Sequence, residues 1–289
     1  PEQAHTYFVQ VHAHHRELTR LRLQDQMVTT AMGGVLPEQP DPTRFRCILD
    51  VGCGTGGWLV ETARTYPTLK RLVGVDASRT MLDVARAQAA TQRVSDRVEF
   101  HVMDALLLLE FPSGSFDLVN QRFGMSYLRT WDWPKLLGEY QRITRPGGVI
   151  RVTEGNIGVR STSSALTRLF ELILEAFCRA GHCFTSKSDG VTCQLVRLLQ
   201  QHGVQQVQTR THVIEYRAGT AAGHHLYEDM QYLFRTIVPF LHKWGGIPEG
   251  YELFCQQALS EMQQPDFVAT GELLTAWGTS PGYTDVCSF

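Results

Sequence analysis

The stretch that most constrains this chain is Cys47-Ile48-Leu49-Asp50-Val51-Gly52-Cys53-Gly54-Thr55-Gly56-Gly57-Trp58, an apolar run that carries one acid and then breaks into closely spaced glycines. A buried strand that ends this way and re-enters a helical pattern marks where an α/β fold brings its backbone against a ligand. Glycine serves there because it accepts a positive φ and has no Cβ to hold the ligand away. A nucleotide-like ligand is the first expectation.

The pattern downstream supports an α/β sheet. Trp58 to Tyr66 reads as a crossover helix. Arg71 to Asp76 is an apolar strand ending in an acid, and Ser78 is placed to cap the helix that follows. Val98 to Met103 is a third strand, ending at Asp104-Ala105. Phe116 to Asn120 is a fourth, and the turn Arg145-Pro146-Gly147-Gly148 follows a helix at about 134–144 and launches a fifth. Strands alternating with helices predict a parallel sheet covered on both faces, with the strand-end acids and amides along its carboxyl edge.

Residues from about 5 to 30 read as a helix with Leu18, Leu21 and Val28 on one side, and the Gly- and Pro-containing segment 33–42 as a linker. Beyond residue 155, Leu166, Leu169, Phe170, Ile173, Leu174 and Phe177 recur at helical spacing, and a second helix is expected over about 191–202. A long strand then runs from about Val204 to Tyr216, and a last one from Phe267 to Trp277. The roughly fifty residues between these two strands exceed an ordinary connection and predict a helical cap. The expected division is an N-terminal helical lid and linker at 1–45, a core at 46–217 and 266–289, and a cap insertion at 218–265.

Composition narrows the function. The net charge is −2, with no dense Lys/Arg block, so the electrostatic footprint of a nucleic-acid binder is missing. No apolar run is long enough to cross a bilayer and no signal-peptide pattern opens the chain, so neither a membrane nor a nucleic-acid partner is expected. The seven cysteines (Cys47, Cys53, Cys178, Cys183, Cys193, Cys255, Cys287) are odd in number and never in Cys-x-x-Cys spacing, which predicts free thiols in a cytoplasmic protein. The His12/His14/His15 and His224/His225 groups lack carboxylate or cysteine ligands at compatible spacing, so no metal is expected.

Two ligand classes fit a glycine turn followed by a strand-end acid: dinucleotides and S-adenosylmethionine. Asp76, 22 positions after Gly54, suits either, because a carboxylate can accept both ribose hydroxyl protons. Asp50 discriminates. It stands where a dinucleotide would set its pyrophosphate, which a carboxylate repels, whereas a phosphate-free adenosyl ligand bearing an ammonium and a sulfonium is attracted.

Ile48-Leu49-Asp50-Val51-Gly52-Cys53-Gly54-Thr55-Gly56 resembles the signature of the class I S-adenosylmethionine-dependent methyltransferases. Val73-Gly74-Val75-Asp76-Ala77-Ser78 resembles their ribose-binding strand end, and Met103-Asp104-Ala105 their adenine-side element. Phe116-Asp117-Leu118-Val119 and Arg145-Pro146-Gly147-Gly148-Val149 are similar to their fourth strand and the turn before the fifth. The resemblance covers about residues 46–155. It implies a Rossmann-like seven-stranded sheet of order 3-2-1-4-5-7-6, with strand 7 antiparallel.

Carried over by position, the resemblance sets the backbone of Gly52, Cys53, Gly54 and Gly56 against the methionine moiety, with Asp50 near its ammonium. It implies that Asp76 holds the ribose, with Ala77 also at the cofactor, that Met81 packs beside the adenine, and that Asp104 and Ala105 meet the adenine edge. Asn120 and Gln121 would flank the methionyl end. A fainter similarity to secondary-metabolite methyltransferases, in Glu17 to Gln24 and Asp132 to Leu136, implies a first helix over the cofactor with Gln24 or Met32 reaching it.

The acceptor is expected to be a small apolar or aromatic molecule. The Asn/Asp-Pro-Pro-Tyr/Phe motif of amino-group methylation is absent after strand four, and the cap is rich in aromatics. Oxygen is the favoured acceptor atom, with carbon and nitrogen open. Tyr7, Met32, Glu154, His182 and Tyr227 are the candidate substrate contacts, and Arg122 is expected in a structural ion pair. No catalytic base is assigned, since methyl transfer needs one only when the acceptor must lose a proton. A cofactor-binding cyclase on the same fold and a macromolecule methyltransferase are the alternatives.

Overall fold

The computed structural model describes residues 15–281. Helix α1 (His15–Ala31) leads through the linker to β1 (Cys47–Val51), α2 (Gly57–Thr65), β2 (Arg71–Asp76), α3 (Arg79–Thr91) and β3 (Val98–Val102). Next come β4 (Phe116–Arg122), α4 (Trp133–Ile143), β5 (Thr144–Gly155), the two-residue β6 (Arg160–Ser161), α5 (Ser164–Arg179) and α6 (Leu195–Gln201). The described chain closes with β7 (Gln205–Arg217), α7 (Ala221–Thr236), α8 (Val238–Trp244), α9 (Tyr251–Glu261) and β8 (Val268–Thr279).

The sheet runs β3-β2-β1-β4-β5 with all neighbours parallel, then β8 antiparallel to β5, with β7 antiparallel on the far side of β8. This is the expected order with an antiparallel last strand. The addition is β6, which pairs with β8 at Thr270 and Ala269, beyond the end of β5. Two residues carry too little periodicity to stand out from a loop in the sequence.

Burial explains the pattern. Ile48, Leu49 and Val51 of β1 are fully buried, as a central parallel strand covered on both faces requires. In β7 the C-terminal half alternates instead, with His212, Ile214 and Tyr216 inward and Val213, Glu215 and Arg217 outward. Ser78 accepts a hydrogen bond from the Met81 amide at 3.3 Å and opens α3 as expected; Ser163 does the same for α5 and Thr220 for α7.

One face of the sheet is covered by α2, α3 and the linker, where Val35, Leu36 and Phe45 pack with Trp58, Leu59 and Leu82. The opposite face carries α4 and α6, with Trp133, Leu137, Tyr140 and Leu195. A third core joins α5, α7, α8 and α9 to the end of α1 through Leu169, Phe177, Met230, Phe234, Val28 and Met32. The helical layer is therefore wider than residues 218–265, because α5 and α1 share its interior.

Candidate active site

The glycine turn is drawn onto the neighbouring strand: the Gly52 and Cys53 amides both donate to the Val75 carbonyl, at 2.9 and 3.0 Å. Gly52, Gly54 and Gly56 all have φ in the left-handed region. A Cβ on Gly56 would come within 2.8 Å of the Ala85 methyl and the Phe100 ring, whereas one on Gly54 would meet nothing within 4 Å. The outer glycines are packed and the middle one faces open space, which is the cradle a ligand needs. Asp76 shapes it: its carboxylate accepts the Gly54 amide at 2.9 Å and the Ser78 amide at 2.8 Å.

Asp50 lies at the mouth of this turn, 3% exposed, and accepts a 2.7 Å hydrogen bond from the Asn120 amide. Burial pushes its carboxyl up to about 7, against the opposing pull of Arg122 and of the Asn120 bond. Burial likewise raises the Cys53 thiol well above its ordinary range, with Asp50 and Asp76 adding to it, so this cysteine stays neutral and fills space.

The other expected cofactor residues fall along the same carboxyl edge. Met81 is buried at the start of α3, and Ala77 is exposed just before it. The Asp104 carboxylate accepts from the Leu106 amide at 2.9 Å and closes the turn that carries Ala105. Gln24 donates to Asp229 at 3.3 Å, tying α1 to α7. Gln121 is placed otherwise than expected. Its amide nitrogen donates to Glu154 at 2.9 Å and its oxygen accepts from the Tyr140 hydroxyl at 2.9 Å, so both ends are used beneath α4. Adjacent strand residues face opposite sides, so the side chains of Asn120 and Gln121 lie on opposite faces of β4.

Of the substrate candidates, Tyr7 lies outside the described residues. Met32 is buried in the helical core. Glu154 is fully buried and accepts from the Gln121 side chain and from the Gly124 and Met125 amides; burial lifts its carboxyl to about 8. His182 is also fully buried, with Nδ1 at 2.7 Å from the Leu128 carbonyl and its ring against Phe177 and Phe240. A carbonyl only accepts, so Nδ1 carries the proton, and burial holds this histidine below its ordinary range and neutral. The Tyr227 hydroxyl accepts from Gln231 at 2.9 Å. Glu154 and His182 therefore support the loop after β4 from behind.

Sequence reasoning missed two features, the Tyr127 hydroxyl and the Arg151 ion pair, whereas the ion pair expected at Arg122 is present. The Tyr127 hydroxyl is buried without a hydrogen-bond partner among the described residues, and a Cβ on Gly52 would lie 2.8 Å from it. Arg122 pairs with Asp25 of α1 and Arg151 with Glu38 of the linker. No motif marks either missed feature. Among the described residues no group of three His, Cys, Asp or Glu side chains is placed to hold a metal, and no helix is long and apolar enough to cross a membrane.

Comparison with known proteins places this geometry. The family described as a methyltransferase domain matches residues 48–148, from within β1 to the glycines early in β5. This segment is similar to methyltransferase domains. Outside it the likeness thins. Methyltransferase GfsG of Streptomyces halstedii is 34% identical over 146 residues, 50% of this chain and 48% of that protein. Demethylmenaquinone methyltransferase of Lactococcus lactis is 34% identical over 101 residues, 35% of this chain and 38% of that protein. The matches thus reach less than half the length of these relatives. Among solved structures, phosphoethanolamine N-methyltransferase 2 of Haemonchus contortus superposes over 94% of this chain and 60% of its own, with TM-score 0.57 and 18% identity. The chain thus has a fold of the class I methyltransferase type, with the glycine turn, Asp50 and Asp76 inside the matched segment.

Proposed function

We propose that this chain binds S-adenosylmethionine in the glycine cradle and catalyses methyl transfer to a small apolar or aromatic molecule, with oxygen favoured over carbon and nitrogen as acceptor. One observation carries the reading: a buried carboxylate, Asp50, stands at the entrance of a left-handed glycine turn whose middle amide is held by a second carboxylate, Asp76. Asp50 repels a pyrophosphate and attracts an ammonium and a sulfonium. The names of the relatives, which include a demethylmenaquinone methyltransferase, support methyl transfer to a small molecule.

When bound, S-adenosylmethionine supplies an electrophilic methyl group on a sulfonium. In this reading Asp50 holds the ammonium, Asp76 accepts from the ribose hydroxyls, and Met81, Asp104 and Ala105 border the adenine. Cys53 and Gly52 bring backbone to the methionyl end, beside the Tyr127 hydroxyl. The helical layer of α1, α5 and α7 to α9 keeps water from the reacting atoms, and alignment of acceptor and donor supplies most of the acceleration. Glu154 holds the loop after β4 through the Gly124 and Met125 amides, so its contribution is to position that loop.

Two measurements test this. Calorimetric titration with S-adenosylhomocysteine is expected to show one-site binding, and incubation of S-adenosylmethionine with a panel of phenols and quinols is expected to release S-adenosylhomocysteine. A chain that binds neither adenosyl ligand refutes the assignment; one that binds but methylates only amines or carbon acids refutes the preference for oxygen.

A further inference from the structure

A polar row crosses the middle of the sheet. Gly74, Asp50, Asn120, Arg151 and Trp277 are successive partners across β2, β1, β4, β5 and β8. Asp50 is 3% exposed and Asn120 and Arg151 are fully buried. Arg122, two residues beyond Asn120, adds a second guanidinium on the same face, and the Trp58 ring lies 5.9 Å from both arginines. Two buried cations beside one carboxylate would neutralise it unless other anions engage them.

Both of those anions come from the N-terminal segment. Asp25 of α1 pairs with Arg122, which also donates to Thr29 at 3.2 Å. Glu38 of the linker takes Arg151 through Nε at 2.7 Å and Nη2 at 3.4 Å, and both side chains are almost wholly buried. Asn120 separates the charges: its oxygen accepts from Arg151 at 2.7 Å while its amide nitrogen donates to Asp50 at 2.7 Å. Three carboxylates thus meet two guanidiniums. The unmatched one is Asp50, whose hydrogen-bond partner here is a neutral amide; among the described residues it forms no ion pair. Of the other basic groups near Glu38, Arg210 is exposed and donates to the Pro37 carbonyl at 2.8 Å, and burial pulls His212 below its ordinary range.

We propose that Asp25 and Glu38 reserve Asp50 for the cationic end of the cofactor: by engaging Arg122 and Arg151 they leave Asp50 as the one uncompensated carboxylate of the row. They are positioning residues, acting through the two arginines. The inference rests on the reading that an adenosyl ligand with an ammonium fills the cradle. It makes the N-terminal segment a determinant of cofactor affinity through charge as well as through cover.

The test uses the full chain and two ligands, S-adenosylhomocysteine, which carries the ammonium, and 5′-methylthioadenosine, which lacks the amino-acid end. Glu38→Gln and Asp25→Asn each free one arginine to turn on Asp50. Each is expected to raise the Kd for S-adenosylhomocysteine about tenfold while leaving methylthioadenosine within about twofold. Adding Arg151→Gln to Glu38→Gln restores the balance and is expected to recover most of the affinity. Parallel weakening of both ligands, or no recovery in the double variant, overturns the proposal and leaves a structural role for the clasp. Asp25→Asn, at the less deeply buried of the two pairs, keeps the test decisive if Glu38→Gln fails to fold. A wild-type chain that binds neither ligand defeats the cofactor reading itself, and this inference with it.

Discussion

Lowering the pH from about 7.5 to about 5.5 is expected to weaken S-adenosylhomocysteine binding roughly twentyfold, because Asp50 takes up a proton across that interval. Burial lifts this carboxyl from an ordinary value of 3.8 to about 7. With that midpoint, about three-quarters of the chains carry an ionised Asp50 at the upper pH and about three in a hundred at the lower. Only the ionised form attracts the ligand ammonium, which keeps its proton throughout. Isothermal calorimetry at half-unit steps reads the profile, and methylthioadenosine serves as control, since it shares the nucleoside contacts and lacks the ammonium.

The sign for stability is opposite. A carboxyl raised in the folded state contributes stability that is present below its unfolded value and lost as pH rises through its folded one. Asp50 and Glu154, raised to about 7 and about 8, therefore make the ligand-free chain less heat-stable between about pH 5 and 8. Asp50→Asn is expected to remove its part of that slope and to flatten the binding profile. A wild-type profile that is already flat, or one whose slope survives Asp50→Asn, refutes the reasoning.

Three further outcomes follow from the geometry. Asp76→Ala removes the acceptor that holds the Gly54 and Ser78 amides and, in the proposed reading, the ribose; calorimetry should show a loss of about 1.5–3 kcal/mol in S-adenosylhomocysteine affinity. Gly56→Ala places a methyl group against Ala85 and Phe100 at a left-handed φ, and urea unfolding should show about 2–4 kcal/mol lost. Glu154→Leu strips the acceptor from the Gly124 and Met125 amides and Gln121, and should cost about 2–4 kcal/mol by the same assay.

What the chain encodes locally is legible in its sequence. The strand at Cys47–Val51, the glycines that follow, the acid ending β2 and the Ser78 cap each depend on neighbours a few residues away, and each stands within a residue or two of its expected place. The cap helices are legible for the same reason, through their 3.6-residue spacing. Their partners are not, because Phe177 of α5 and Met32 at the end of α1 enter the same core as Phe234 only through tertiary packing.

The polar row fails to show in the sequence for a different reason. Arg122 and Asp25 are 97 residues apart, and Arg151 and Glu38 are 113 apart. In isolation Asp25, Glu38 and Arg151 read as ordinary surface charges, and Arg122 as half of an ion pair whose partner the sequence does not name. Their meaning depends on register. Once Asp50 pairs with Asn120 and Asn120 with Arg151, period-two alternation sends Asn120, Arg122 and Arg151 towards α1 and α2, and sends Gln121 and Glu154 towards α4. That alternation decides which of the polar residues at the ends of β4 and β5 share a face with Asp50. It is why Arg151, with no motif to mark it, bears on the cofactor site while Glu154, at the expected strand end, buttresses a loop. A one-residue slip of β5 against β4 would bring the Glu154 carboxyl beneath α2 and the Arg151 guanidinium beneath α4, and the cost of burying both uncompensated adds to the hydrophobic pattern in holding the register.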